Sequence, residues 1–200
     1  MRTDYNGSAF DAPSDGFATV GQVLDACEAA RSDGRVLVRV CVDGSDVARE
    51  DWDALRARPC REVDHLELEA RSADELARTS LAYAADYCDP VCAAIAETAD
   101  HLRAGRSAEG LSLYAQLLDA LTVLVETLAA AGAALDEPTP FLEEAGRELQ
   151  PWLEALLEAQ GKDDRLLIAD YLEYEIAPVV SGWSRRLRAR PGAQAQEVAR

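Results

Sequence analysis

The chain shows two kinds of hydrophobic periodicity, and the change between them falls near Ser72. Before this residue, short stretches alternate apolar and polar positions, as in a β-strand. After it, apolar residues recur every three or four positions to about Arg188, as in an amphipathic α-helix. The pattern predicts an α+β protein, mostly α: a small N-terminal α/β unit followed by an antiparallel bundle of four to five helices.

The longest apolar pattern lies in residues 109–131 and predicts a central bundle helix. One row of apolar side chains alternates spacings of three and four, and a second row with a spacing of seven lies beside it. A stripe of this width must be covered on more than one side, so we expect both rows in the core. The first row is Leu111, Tyr114, Leu118, Leu121, Val125 and Leu128; the second is Leu117, Leu124 and Ala131.

Local signals give the other bundle helices within residues 72–188. Ser72 and Glu75 form a capping box, which predicts a helix start there. Pro90 lies inside that helix and is expected to kink it or to divide it in two. Further helices are predicted from about Phe141 and after Asp163 or Asp164.

The α/β unit is predicted over residues 18–70, with two or three strands and two short helices. Thr19 opens one helix, and alternating valines in 36–42 predict a strand that ends at the Asp43-Gly44 turn. Residues 63–70 alternate so that one face of a second strand belongs to the core. Residues 1–17 lack periodicity and are predicted to be a disordered leader, and residues 189–200 a flexible tail.

The charge balance limits the possible partners. Lys and Arg number 20 against 37 Asp and Glu, a net charge of −17. Such a surface repels phosphate backbones and anionic lipids, so we expect neither nucleic acid nor a membrane as a partner. The start resembles no signal peptide, and no stretch is expected to span a bilayer without charges, so a cytoplasmic location is predicted.

Catalytic and metal-binding signals are weak. The five cysteines fit no disulfide or zinc pattern, although Cys88 and Cys92 have an i, i+4 spacing that two metal ligands can share. No nucleotide, hydrolase or metalloprotease motif occurs, so we expect no enzyme activity, no cofactor and no metal. A catalytic use of Cys88, or of Asp170 with Glu173, is the alternative.

One stretch near the C-terminus is the candidate partner-binding surface. Acidic Glu173 and Glu175 interleave there with Tyr171 and Tyr174, and Trp183 follows on the same helix. Tyrosine and tryptophan contribute strongly at interfaces, which favours docking of a partner helix. The alternative is a solvated acidic face beside two amphipathic tyrosines.

Residues 72–188 resemble the FliS-type flagellar export chaperones. The opening Ser72-Ala73-Asp74-Glu75-Leu76, the joint in residues 156–164 and the late Trp183 are similar to that family's motifs. The resemblance implies a helical bundle that holds flagellin subunits before secretion. The sequence LEYEIAP followed by a late tryptophan also resembles uncharacterised bacterial proteins, which implies no assigned activity.

The function predicted from these observations is a non-enzymatic protein-binding module. It is expected to be chaperone-like or an adaptor, and to capture amphipathic helical segments of a protein partner. The alternative is a self-associating structural protein, in which two copies of the chain form a homodimer.

Overall fold

The computed structural model describes residues 1–10, 16–29, 34–135 and 140–190. The chain divides into two compact units, Met1–Glu75 and Leu76–Arg200, with the division inside the first bundle helix. Each unit has its own hydrophobic core. The predicted α+β, mostly α class is confirmed, with a small mixed sheet in the first unit and helices in the second.

The N-terminal unit is a mixed five-stranded sheet with two helices. The strand order is β2-β1-β5-β3-β4; β1 runs parallel to β5, and the other neighbouring pairs are antiparallel. The elements are β1 (Arg2–Tyr5), β2 (Ser8–Ala9), α1 (Val20–Ala29), β3 (Val36–Val42), β4 (Ser45–Asp46), α2 (Trp52–Ala57) and β5 (His65–Arg71).

The predicted leader is wrong for residues 2–9, which form the β1-β2 hairpin. Asn6 and Gly7 have positive φ angles of 47° and 75°, as an Asn-Gly hairpin turn requires. The Asn6 side chain also accepts a hydrogen bond from the Ala70 amide at 2.8 Å and donates one to the Ala70 carbonyl at 3.0 Å. Strands this short carry too few alternations to be recognised, although the Asn-Gly pair is a hairpin signal. Residues 11–15 of the predicted leader lie outside the described residues.

Alternation in β5 works as predicted. Leu66, Leu68 and Ala70 are buried, while the residues between them are only partly covered. The first two pack in one core cluster with Val20 and Leu24 of α1. The sheet therefore has one face in the core and one face toward solvent.

The C-terminal unit is built from helices. The bounds are α3 (Ala73–Arg103), α4 (Ser107–Ala134), α5 (Pro140–Gly161), α6 (Arg165–Asp170) and α7 (Ala177–Arg188). A π-helical turn, Tyr171–Ile176, joins α6 to α7 without a break, so residues 165–188 form one continuous segment, the closing helix.

Contacts between these helices establish the antiparallel arrangement. Arg103 at the end of α3 binds Asp170 at 2.8 Å, whereas Asp89 earlier in α3 binds Arg188 at 2.8 Å. Residues later in α3 therefore pair with residues earlier in the closing helix, so the two helices run antiparallel. The predicted antiparallel bundle is confirmed with four helical segments among the described residues.

The helix ends follow the predicted caps. The Ser72 hydroxyl accepts from the Glu75 amide at 3.1 Å, and the Glu75 carboxylate accepts from the Ser72 amide at 2.7 Å. Asp164 accepts from the Leu167 amide at 3.0 Å and caps α6. Helix α3 is continuous through Pro90, so its division into two helices is wrong.

The π-helical turn has a local cause in Pro178. Proline has no amide hydrogen to offer the carbonyl of Tyr174, four residues earlier, and its ring crowds that carbonyl. In the turn before it, the Ala177 amide bonds the Leu172 carbonyl, five residues back. The wider turn thus carries the helix past the proline.

The predicted apolar stripe of α4, made of the two rows in residues 109–131, is right for six of its nine residues. Leu111 is exposed, and Leu118 and Val125 are partly buried, so these three lie at the edge of the core. The residues that α4 buries in the core alternate between the two predicted rows. They are Tyr114, Leu117, Leu121, Leu124, Leu128 and Ala131.

Helix α4 is also long and apolar enough to cross a membrane by length and composition, with the charged Asp119 and Glu126 inside it. It is the one such helix within the described ranges. Only 28% of its apolar window is buried. Core helices of soluble bundles share this length and composition, so the property alone does not place the protein in a membrane.

Candidate functional site

Helices α4 and α5 enclose an open groove with a volume of about 370 Å³. The helices approach closely at Gly132, where an added Cβ would lie 2.9 Å from the Cβ of Leu142. One turn along α5, Gly146 faces Val125 and leaves space between the helices. Lining the groove are the apolar Val125, Ala129, Gly132, Ala133, Leu142 and Gly146, with the polar Arg147 and Gln150 beside them. We call this site the α4–α5 groove.

The apolar face of the groove continues along α5. Leu153 and Leu157 follow Gly146 and Gln150 at spacings of three and four, so all four lie on one side of the helix. Leu157 is 70% exposed and Leu153 is 38% exposed. Two large apolar side chains are therefore open to solvent beside the groove.

The matching face of α4 carries the three residues of the first predicted row that lie at the edge of the core. Leu111 and Leu118 precede Val125 at spacings of seven, on the same side of the helix. Because Gly146 of α5 faces Val125, continuing this antiparallel register puts Leu118 opposite Leu153. From Leu111 to Gly132 the face extends about 30 Å along α4.

Acidic residues flank this apolar face. Asp119 and Glu126 are exposed on α4, and exposed Glu154 on α5 accepts a hydrogen bond from Gln150 at 3.1 Å. Arg147 is the only basic residue in α4 and α5 together. The rims of the groove are therefore negative, apart from the position of Arg147.

The residues of the predicted partner-binding surface lie in two different environments in the structure. Tyr174 is 63% exposed, and the guanidinium of Arg103 lies over its ring, 5.6 Å from the centroid. The same guanidinium binds Asp170 at 2.8 Å and also Glu173. These hydrogen bonds raise the pKa of Arg103. Tyr174 and Glu173 thus belong to an ion-paired cluster at the α3 side of the bundle.

Two other predicted partner residues pack against α5. Tyr171 is partly buried, with its ring 6.2 Å from that of Trp152. Trp183 is fully buried, so the prediction that it contacts a partner is wrong; its position on the inner face of α7 makes it a core residue. Glu175 is half-buried. A partner surface at Tyr174 and Glu173 stays a prediction.

The alternative catalytic residues show structural roles. Burial raises the pKa of the Cys88 thiol to about 11, which disfavours the thiolate. Cys92 has its sulfur 3.4 Å from the Ser181 hydroxyl oxygen. Asp170 and Glu173 share Arg103 as a partner. In the part of the chain that the structure describes, no three His, Cys, Asp or Glu residues group to hold a metal.

The sequence pattern missed the α4–α5 groove because its residues look like ordinary helix positions. Ala129, Gly132 and Ala133 are small, and Gly146 interrupts an otherwise good helical pattern in α5. Glycines in two neighbouring helices were the available signal for a close approach beside a gap. Only the register of α4 against α5 in the structure shows that these α4 residues line the same groove as Gly146 of α5.

Fold and site together define a class: an α+β protein whose helical bundle carries an apolar groove between two antiparallel helices. Residues 79–186, which cover most of the bundle, match the family described as a domain of unknown function, DUF8042. The chain belongs to this family.

A relative in Treponema pallidum (strain Nichols), described as an uncharacterized protein, is 29% identical over 168 residues. The match covers 81% of this chain and 84% of the relative. This is more than the whole C-terminal unit, so the similarity includes part of the sheet unit. No solved structure matches the chain. These matches support the resemblance to uncharacterised bacterial proteins and provide no link to the flagellar export chaperones.

Proposed function

We propose that this protein is a non-enzymatic protein-binding module that receives an amphipathic helix in the α4–α5 groove. The observation that supports this function is the exposed apolar face beside the groove, with Leu111, Leu153 and Leu157 open to solvent. Contiguous exposed apolar surface is typical of interaction sites. A bound helix removes this surface from water.

The shape of the site favours a helix over an extended peptide. Two antiparallel helices present parallel rows of side chains, and a third helix packs its own row into the space between them. Gly146 and Ala129 line that space and are small, so a large apolar side chain of the partner can enter between the two helices. A face of about 30 Å accommodates about 20 helical residues.

Self-association is the second candidate function. Val123 of α4 is 55% exposed and does not line the groove, so the apolar surface of α4 is wider than one bound helix needs. A second copy of the chain could cover α4 in a homodimer. The chaperone-like or adaptor role depends on a separate partner, and the flagellar role implied by the resemblance stays a prediction.

A filled-groove variant tests the binding function. Ala129→Trp puts a bulky side chain into the groove from an exposed position, and Ala130→Trp puts the same side chain on the next, also exposed position, which does not line it. The probe is a fluorescently labelled amphipathic peptide with leucines at helical spacing, measured by anisotropy. Binding that is lost in Ala129→Trp and kept in Ala130→Trp supports the proposal.

Equal binding by both variants contradicts a site in the groove. Light scattering of the unliganded protein tests the second candidate. A dimer that Ala129→Trp converts to a monomer would show that a second copy occupies the groove.

A further inference from the structure

We infer that the partner helix is basic, because the α4–α5 groove offers an apolar floor between acidic rims. This inference rests on the proposed binding function and specifies the chemistry of the partner. It concerns the charged face of the bound helix, whereas the proposed function concerns its apolar face.

The local charges on the two rims have one sign along most of the groove. Asp119 and Glu126 are seven residues apart on α4, so they lie on one side of that helix. Glu154 of α5 lies one residue beyond Leu153, toward the outer surface. A helix seated on the leucines places its flanking side chains beside these carboxylates.

Two other charged residues near the groove, Glu158 and Arg147, also affect its electrostatic potential. Glu158 is already paired with Lys162 at 2.5 Å, so it contributes less negative potential. Arg147 lines the groove next to Gly146 and Gln150. The strongly acidic part is therefore the stretch between Asp119, Glu126 and Glu154, where lysine or arginine of the partner is expected.

The net charge of −17 adds a long-range attraction for any cation, so the test must separate local from overall charge. Three peptides of about 18 residues share one leucine face and carry Lys, Gln or Glu at the remaining positions. The triple variant Asp119→Asn, Glu126→Gln, Glu154→Gln removes three rim charges. Its matched control, Glu50→Gln, Asp53→Asn, Glu62→Gln, removes three exposed charges of the N-terminal unit.

The expected result is that the Lys peptide binds most tightly and the Glu peptide most weakly. The rim variant weakens binding of the Lys peptide roughly tenfold, and the control variant changes it less than about twofold. Added salt weakens the Lys peptide more than the Gln peptide. Circular dichroism of both variants confirms that they fold.

Distinct results overturn the two proposals. If the Gln peptide binds as tightly as the Lys peptide, and Ala129→Trp abolishes both, the groove binds helices but charge selection is wrong. If the control variant weakens the Lys peptide as much as the rim variant does, the attraction is non-specific and the inference fails. If no peptide responds to Ala129→Trp, the proposed function itself fails.

Discussion

The indole Nε1 of fully buried Trp183 donates a hydrogen bond to the Glu148 carboxylate at 2.7 Å. Arg186 donates to both oxygens of the same carboxylate, at 2.8 and 2.6 Å. One acidic side chain of α5 therefore satisfies a buried donor and an arginine of α7. This contact fixes α7 against α5, on the helix that also forms one wall of the groove.

Replacing Glu148 tests this contact. Glu148→Ala is expected to lower the free energy of unfolding by about 1–3 kcal/mol, because the buried Trp183 indole loses its acceptor. Glu148→Gln keeps an acceptor oxygen and is expected to lose less. Urea denaturation followed by circular dichroism measures both. Equal losses in the two variants would show that the indole hydrogen bond is not the stabilising part.

Acid should weaken the same contact. Hydrogen bonds from Arg186 and then Trp183 hold the pKa of Glu148 below its ordinary value of 4.5, against the opposing effect of burial. A carboxyl with a lowered folded-state pKa adds stability that is complete above 4.5 and is lost as the pH falls through the folded-state value. The stability difference between wild type and Glu148→Gln should therefore shrink between about pH 6 and about pH 3. A difference independent of pH would contradict this assignment.

Two leucines of α4 test which residues of the predicted rows lie in the core. Leu128→Ala removes a fully buried side chain and is expected to cost about 2–5 kcal/mol of unfolding free energy. Leu111→Ala acts at the exposed edge of the groove and is expected to cost less than about 1 kcal/mol. Chemical denaturation compares the same substitution on one helix. Similar costs would show that Leu111 lies in the core together with Leu128, as the first predicted row requires.

The cysteines differ in their expected reactivity. Cys88 is fully buried with a pKa of about 11, whereas Cys92, one turn further along α3, is half-buried. In the native protein a thiol reagent should therefore modify Cys92 well before Cys88, which reacts only after local unfolding. Mass spectrometry of the digested protein after short labelling identifies the modified residues. Rapid labelling of Cys88 at neutral pH would revive the catalytic alternative.

The capping box at the start of α3 can be tested in the same way. Ser72→Ala removes the acceptor for the Glu75 amide and should destabilise the protein by about 1 kcal/mol. Ser72→Asp keeps an acceptor at the cap and serves as the control. Thermal unfolding measures both variants. An unchanged Ser72→Ala protein would show that solvent replaces this cap without cost.

Much of the fold could be predicted because its signals are local. The capping box at Ser72, the Asp43-Gly44 turn and the alternation in β5 each depend on residues a few positions apart. The β1 strand depends instead on pairing with β5, more than 60 positions away, and its four residues give no periodicity. Its pairing is a property of the folded sheet.

The α4–α5 groove was harder to predict because it also depends on contacts between residues that are far apart in the sequence. The spacing of Leu111, Leu118 and Val125 shows that they share a helix face, but not whether that face meets a neighbour. Burial is decided by the register of α4 against α5, in which Gly132 lies close to Leu142 and Gly146 faces Val125. Trp183 was predicted as a partner contact because it is aromatic, but aromatic side chains contribute strongly to cores as well as to interfaces.

The most direct test of the central claim is an NMR titration of the isotope-labelled protein with the leucine-lysine peptide. Backbone amide shifts report which residues sense the bound helix. The proposal predicts the largest changes along the α4–α5 groove, at Leu118, Val125, Ala129, Gly146 and Leu153. Changes concentrated at Glu173 and Tyr174, or in residues 1–75, would contradict it.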